Sequence, residues 1–428
     1  MSSKDQLINA VKGMHDILPK DTVVWAMVEQ VCADVLKAHS YQQIRMPIVE
    51  NTHLFTRSIG TETDIVAKEM YTFDDRNGDS LSLRPEGTAS CVRAGIQNGL
   101  FYNQQQRLWY TGPMFRHERP QKGRYRQFHQ MGVESYGWAG ADVEAEIIAI
   151  SAQIFTRLGL LKTNLQINSL GDATARLEYR TALVTYLEKY ADQLDEDSQR
   201  RLTTNPLRIL DSKNQQVQEV LKEAPSILDF LSVESVAEFS RLQNFLKQLN
   251  IPFTINPRLV RGLDYYNDTV FEWVNEDFGA QSTVCGGGRY DSMVEQLGGT
   301  STPAFGFGMG LERLVQILQE QEALVSKTKA APDVFIISVG DIARGQALAL
   351  QQTLSTNGIS INLYAGSASI KNQFKRADKS GASLALIIGE EEALQKQVGV
   401  KVLVRREEQQ TIVQSQAMNV VTNLLESL

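Results

Sequence analysis

Cysteine is scarce in this 428-residue sequence: Cys32, Cys91 and Cys285 are odd in number, far apart and never form a C-x-x-C pair. That scarcity excludes a disulfide framework, gives no zinc-ligand spacing and fits a reducing compartment. No apolar run approaches the ~18 residues of a membrane span, and the first residues, MSSKDQLINA, lack the charged-then-apolar order of a signal segment. The expectation is therefore a soluble, cytoplasmic chain with no membrane partner. Basic excess is missing too, since 43 Lys and Arg against 50 Asp and Glu leave a net charge of −7. Net charge sums over the chain while a partner feels only a local patch, so RNA binding stays open.

There is no internal repeat and no low-complexity tract. The five histidines, His15, His39, His53, His117 and His129, show neither metal-ligand spacing nor a catalytic-triad pattern, so no metal site is expected. Gly286-Gly287-Gly288 and the series Gly306, Gly308, Gly310 match neither the phosphate loop nor the dinucleotide fingerprint. Close approach of backbone to a ligand explains them better.

What remains is an ordinary globular balance, 42% hydrophobic and 22% charged, with length for two or three domains at about 150 residues each. Val24, Val28, Val31 and Val35 recur at helical spacing between Thr22 and Ser40. From Gln43 to Tyr136 short β-rich runs predict an antiparallel sheet, and residues 142–158 return to a helical period. Residues 172–250 are polar, helical and broken at Asn205-Pro206 and Pro225, which predicts an inserted helical domain. The β pattern resumes at Phe253, runs to AFGFGMG and passes into the helix LERLVQILQEQ. SKTKAAP, residues 326–332, has linker composition. Beyond it, strands alternate with helices, predicting an α/β domain with a mostly parallel sheet. The domains read as 1–325 for an α+β unit of antiparallel sheet flanked by helices, 172–250 for the insertion within it, and 332–428 for the C-terminal α/β domain.

Read as a strand, Phe115-Arg116-His117-Glu118 puts Arg116 and Glu118 on one face. A solvated cross-strand pair would explain those two alone. The loop that follows, however, carries Arg119, Lys122, Arg124 and Arg126, a hairpin tip suited to phosphate oxygens. The returning strand then aligns Phe128, Gln130, Gly132 and Glu134: a stacking surface, an amide, an absent side chain and a carboxylate. His117 and His129 fall on the opposite faces. In Arg84-Pro85-Glu86-Gly87-Thr88, proline at a first helical position and glutamate in a first turn read as a helix start.

The segment FRHERPQKGRYRQFHQMGVE resembles motif 2 of the class II aminoacyl-tRNA synthetases, in the histidyl-tRNA synthetase form found in bacteria. AFGFGMGLERL, with Arg313 inside the helix, is similar to motif 3, and IRMPIVE around Pro47 is a looser likeness of motif 1. LVRGLDYYNDTVFE and VCGGGRYD resemble the two peptides peculiar to the histidine enzymes, and NPLRILDSK is similar to bacterial members. The likeness runs from about Lys12 to the C-terminus.

The resemblance implies a ligase that activates L-histidine with ATP and Mg2+ and transfers it to the 3′-terminal adenosine of tRNA(His), with no prosthetic group. By the same resemblance Arg116 holds the α-phosphate, Glu118 reads the adenine amine, Arg124 reaches the γ-phosphate, and Phe128 and Arg313 sandwich the adenine. Glu86, Thr88 and Gln130 take the amino group of histidine, while Glu134 and Tyr266, with Tyr290 nearby, read the imidazole. Arg261 bridges the substrate carboxylate and the α-phosphate. Strand parity puts Arg261 and Tyr266 on opposite faces, so Gly262 must permit a bend for both to line one pocket. The family also implies a homodimer through motif 1, tRNA acceptor-arm contact for the insertion, and an anticodon-binding C-terminal domain. There Lys371, Lys375 and Lys379, with Arg376 beside them, form a basic helical stripe.

Two other readings compete. A non-catalytic regulatory paralogue would bind histidine and control a phosphoribosyltransferase. Such paralogues lack the C-terminal domain, whereas here it is present and Arg116, Arg261 and Arg313 are kept. A synthetase for another amino acid is opposed by RGLDYY and Glu134.

Overall fold

The computed structural model describes residues 8–428 except 62, 122, 161, 276–282, 321–330, 367 and 406–407. Lys122 and most of the expected linker thus lie outside the described residues. The chain forms two compact units, Met1–Lys327 and Thr328–Leu428.

In the first unit α1 (Pro19–Ala38) opens on a proline at its first position and buries Val24, Val28 and Val35 along one stripe. There follow β1 (Gln42–Gln43), β2 (Val49–Asn51), α2 (Thr52–Ile59), β3 (Tyr71–Asp74), β4 (Ser80–Leu83), α3 (Thr88–Gln97), β5 (Gln106–Phe115), β6 (Gln127–Tyr136), α4 (Ala141–Arg157) and β7 (Thr163–Ser169). The helices α5 (Ala173–Leu187), α6 (Glu196–Thr204), α7 (Gln215–Val220) and α8 (Val233–Gln248) come next. The unit closes with β8 (Phe253–Ile255), β9 (Asn267–Asn275), β10 (Thr283–Arg289), α9 (Met293–Gln296), β11 (Ala304–Gly310) and α10 (Leu311–Gln319). The sequence pattern missed α2, which Asn51 caps by accepting the His53 N–H at 2.9 Å.

The eight-stranded sheet has the order β1-β5-β6-β11-β10-β9-β7-β8. It is antiparallel inside, as the sequence predicts, but its two edge pairs, β1 with β5 and β7 with β8, are parallel. Each of those pairs is joined by a long excursion, and parallel neighbours need such a crossover. A small separate sheet has the order β2-β4-β3.

Alternation along the strands sorts the core. Met131, Val133, Phe305, Phe307 and Met309 pack with α1, α4, α8 and α10 on one face. The even-numbered positions of β6 and β11 turn to the other face, where Gly306 and Gly308 make room for the Glu134 and Gln130 side chains and Gly310 borders open space. The helices of residues 172–250 do not enclose a separate core: Phe239, Leu242 and Leu246 of α8 join the first cluster, and Tyr179, Leu183 and Val217 join the cluster on the opposite face.

The second unit contains β12 (Val334–Ser338), α11 (Asp341–Thr356), β13 (Ile361–Leu363), α12 (Ile370–Ser380), β14 (Leu384–Ile388), α13 (Glu390–Gln395), β15 (Gln397–Val402), β16 (Gln410–Val413) and α14 (Ala417–Glu426). Its order is β13-β12-β14-β15-β16. β12 pairs in parallel with both neighbours, whereas β14–β15 and β15–β16 are antiparallel. The expectation of a mostly parallel sheet is thereby corrected to a mixed one. The connections after β14 and β15 are too short for a parallel crossover of a dozen or more residues. Among the described residues no helix is long and apolar enough to cross a membrane.

Candidate active site

The open face above the strand glycines holds a cavity of about 390 Å³. Arg116 and Arg124 reach it from the β5–β6 loop, Arg261 from the segment before β9 and Arg313 from α10, with Glu86, Thr88, Glu118, Phe128, Gln130 and Tyr266 also in its wall.

β5 ends at Phe115, so Arg116 to Glu118 form a turn rather than the expected strand. Backbone geometry brings the pair together all the same: the Arg116 N–H donates to the Arg126 carbonyl at 2.9 Å, and the Glu118 N–H to the Arg116 carbonyl at 2.7 Å. Arg116 Nη1 lies 4.0 Å from Glu118 Oε1, and its Nε donates to the Pro85 carbonyl at 2.8 Å. Its guanidinium sits 5.2 Å from the centroid of the Phe128 ring. Arg124 lies against the Glu118 carboxylate, so within the chain it pairs with the residue expected to read adenine. Burial loosens the proton of Arg116, Arg124 and Arg313, but arginine starts so high that all three stay charged.

Pro85 is not at a first helical position, because α3 begins at Thr88 after the cap residue Gly87. Glu86 supplies the expected helix-start chemistry instead, accepting the Thr88 N–H at 2.6 Å and the Ala89 N–H at 2.8 Å. Those donors fix the carboxylate while burial raises its pKa. Gln130 is held differently: its Oε1 is buried and has no hydrogen-bond partner among the described residues. An orphaned acceptor at a cavity wall is an invitation to a donor.

Glu134 and Tyr290, expected to read an imidazole, are not on this wall but one layer behind it. Glu134 Oε1 accepts the hydroxyls of Thr88 at 2.9 Å and Tyr110 at 3.0 Å, and Oε2 accepts that of Tyr290 at 2.6 Å. Burial pushes its pKa up to about 8. Tyr110, which the sequence did not single out, reaches Glu134 because Gly87 and Gly132 leave room for its ring on either side.

β9 begins only at Asn267, and before it the chain bends at Gly262 and Leu263 and turns at Asp264 and Tyr265, so the bend expected at Gly262 is present and Arg261 and Tyr266 both line the cavity. The Arg261 guanidinium lies 5.8 Å from the Tyr266 ring centroid and pairs with Glu272. Burial opposes its charge, but Glu272 together with Tyr266, Tyr265 and Cys285 outweighs that and tightens its hold on the proton. Tyr265 also lines the cavity and packs against Tyr266, with ring centroids 4.5 Å apart. Tyr265 and Glu272 were both missed, although both lie in the peptide that carries Arg261. Arg313 Nε donates to the Gly123 carbonyl at 3.3 Å. His117 and His129 are absent from the wall, His129 as alternation along β6 predicts; His117, beyond the end of β5, packs against the Tyr71 ring, and His129 lies against Glu312. Among the described residues no group of three or more His, Cys, Asp or Glu is placed to hold a metal.

In the second unit Lys371, Lys375, Arg376 and Lys379 are all exposed on α12. The Arg376 guanidinium lies 5.0 Å from the centroid of the Tyr364 ring.

Comparison with known proteins gives two family matches: histidyl-tRNA synthetase over residues 13–314 and the anticodon binding domain over residues 333–424. The histidine–tRNA ligase of Marinomonas sp. is 58% identical over 388 residues, 90% of this chain and 92% of that one. Apo histidyl-tRNA synthetase from S. aureus superposes with a TM-score of 0.80 at 37% identity, covering 98% of this chain and 100% of that one. An ATP phosphoribosyltransferase regulatory subunit/histidyl-tRNA synthetase from Bacillus halodurans, 21% identical with a TM-score of 0.65 over 90% of this chain and 98% of that one, shares the fold. With a match spanning most of the first unit and a relative of such identity over nine-tenths of the sequence, the chain belongs to the histidyl-tRNA synthetase family.

Proposed function

We propose that the chain is a histidine–tRNA ligase whose 390 Å³ cavity binds ATP and L-histidine side by side. The observation that carries this reading is the convergence of Arg116, Arg261 and Arg313 on one cavity that also presents Glu86 and the unpartnered Gln130 Oε1. The carboxylate of histidine attacks the α-phosphorus of ATP, the bond to the β-phosphate breaks, and pyrophosphate leaves with Mg2+ as its counter-ion. Negative charge gathers on the non-bridging α-oxygens as this happens, and Arg116 and Arg261 are the fixed cations beside it. Phe128 and Arg313 hold the adenine, Glu118 reads its amine and Arg124 serves the γ-phosphate. The amino group of histidine lies among Glu86, Thr88 and Gln130, and Tyr266 meets the imidazole. Glu134 and Tyr290 act on that end of the site from behind the wall. In the second half-reaction the 3′-terminal adenosine of tRNA(His) takes the histidyl group from the adenylate. Positioning and electrostatics do this work without a covalent enzyme intermediate.

The C-terminal unit is the tRNA anticodon contact, and the inserted helices 172–250 meet the acceptor arm. Exposed apolar side chains, Ile48 and Val49 next to Pro47 and Phe73 on β3 of the same small sheet, support a homodimer through that sheet. A cytoplasmic location follows from the substrates. Pyrophosphate exchange measured with each of the twenty amino acids tests the assignment: exchange with histidine alone is expected. Silence with histidine from folded protein points to a regulatory paralogue, and exchange with another amino acid overturns the specificity.

A further inference from the structure

β6 and β11 stay paired as far as Gln130 opposite Gly310. One residue further on, the second strand has become α10, and the His129 N–H meets a side chain instead of a strand. Glu312 takes it, with Oε1 at 2.7 Å and Oε2 at 2.9 Å. The same carboxylate lies 2.9 Å from His129 Nδ1. The imidazole is held from another side by Trp25 of α1, edge to face, with centroids 5.0 Å apart. Glu312 is 13% exposed and His129 25%, so the contact is partly withdrawn from solvent screening.

The sequence neighbours of this pair are Phe128 and Arg313, both in the cavity wall, to which Glu312 itself also belongs. Arg313 is otherwise anchored to the Gly123 and Thr283 carbonyls, in the β5–β6 loop and at the start of β10. The Glu312 carboxylate is what ties its helix directly to β6.

We propose that His129 and Glu312 are positioning residues for the nucleotide: by fastening β6 to the first turn of α10, they set the gap between the Phe128 ring and the Arg313 guanidinium in which the adenine is held. This rests on the reading of that gap as the adenine site. A base held between a ring and a planar cation gains from both faces only when the gap is fixed beforehand. The His129 side chain supplies that fixity from outside the cavity, through Glu312, which lies in the cavity wall.

The test is a pair of Michaelis constants from histidine-dependent pyrophosphate exchange, measured for His129→Ala, His129→Asn and Glu312→Gln. Expected is a rise in the ATP KM of roughly tenfold in His129→Ala and Glu312→Gln, with the histidine KM within about twofold of the parent. His129→Asn, whose amide N–H can stand in for Nδ1–H, should recover most of the ATP KM. Equal rises in both constants, or a lowered unfolding midpoint with the ATP KM unmoved, would mean that the clasp only holds the fold together. If the parent itself shows no histidine-dependent exchange, the functional reading fails on its own. Calorimetric titration of ATP into the same variants then decides the clasp: a loss of affinity of similar size upholds it, and parent-like affinity overturns it.

Discussion

Arg261 and Glu272 form an ion pair in which both side chains are less than one-fifth exposed, and both line the cavity. Glu272 also accepts the Thr283 hydroxyl at 3.0 Å. The carboxylate therefore has a second partner, and the guanidinium is held in place before any substrate arrives.

Replacing Arg261 with alanine should slow single-turnover adenylate formation by at least about a hundredfold while histidine still binds, because the charge is needed mainly where negative charge develops. Rapid-quench measurement of adenylate in parent and Arg261→Ala enzyme, alongside equilibrium binding of histidine, checks it. Near-parental adenylate formation would remove Arg261 from the mechanism.

Burial raises the Glu134 pKa to about 8, so the protonated form outweighs the charged one at neutral pH, unlike in an ordinary carboxylate. An acid whose folded pKa lies above its unfolded value stabilises the fold fully below the unfolded value and loses that contribution as pH rises through about 8. Unfolding free energy should thus fall between about pH 5 and 9 in the parent and fall less in Glu134→Gln, which keeps the uncharged form throughout. Urea melts at three pH values read this directly, and parallel curves for the two proteins would contradict it.

A methyl group at Gly132 would collide with the Tyr110 ring. Gly132→Ala is expected to cost about 1–3 kcal/mol as overpacking. Adding Tyr110→Ala to the same chain should remove the collision, making the two changes non-additive in a double-mutant cycle by urea unfolding.

For the second unit, neutralising Lys371, Lys375, Arg376 and Lys379 together should weaken tRNA(His) binding and flatten its salt dependence by about one counterion for each lost phosphate contact. Adenylation without tRNA should be unchanged. Titrations of labelled tRNA at several salt concentrations distinguish this from a solvated helix face, which would leave slope and affinity as they were.

Strand alternation made one wall of the site legible in the sequence. Gln127–Tyr136 is a regular strand, so Phe128, Gln130 and Gly132 could be placed on one face by counting in twos. Counting failed where the backbone stopped being a strand, at Arg116–Glu118 and before Asn267, because a turn breaks the period without leaving a strong local mark. Tyr110 and Glu272 were invisible for another reason: each matters through a residue brought to it by folding, Glu134 for the one and Arg261 for the other. The parallel edges of the large sheet escaped for the same reason, since crossover length shows which pairings are possible, not which are made. Glu134 itself was found by alternation, but its depth behind Thr88, beside Tyr290, depends on how three segments stack.

The glycines beneath the cavity bear on how such a site can change. At Gly306 a methyl would intrude on the Glu134 carboxylate, at Gly308 on the Gln130 amide and at Gly286 on the Arg261 guanidinium. A one-step substitution there does not trim the pocket by a methyl; it evicts a polar side chain from the trough in which it lies. Drift toward a new substrate is therefore blocked on the strand floor, whichever side chains change above it. A laboratory redesign that kept those three glycines and varied the walls would be working with the grain of the molecule.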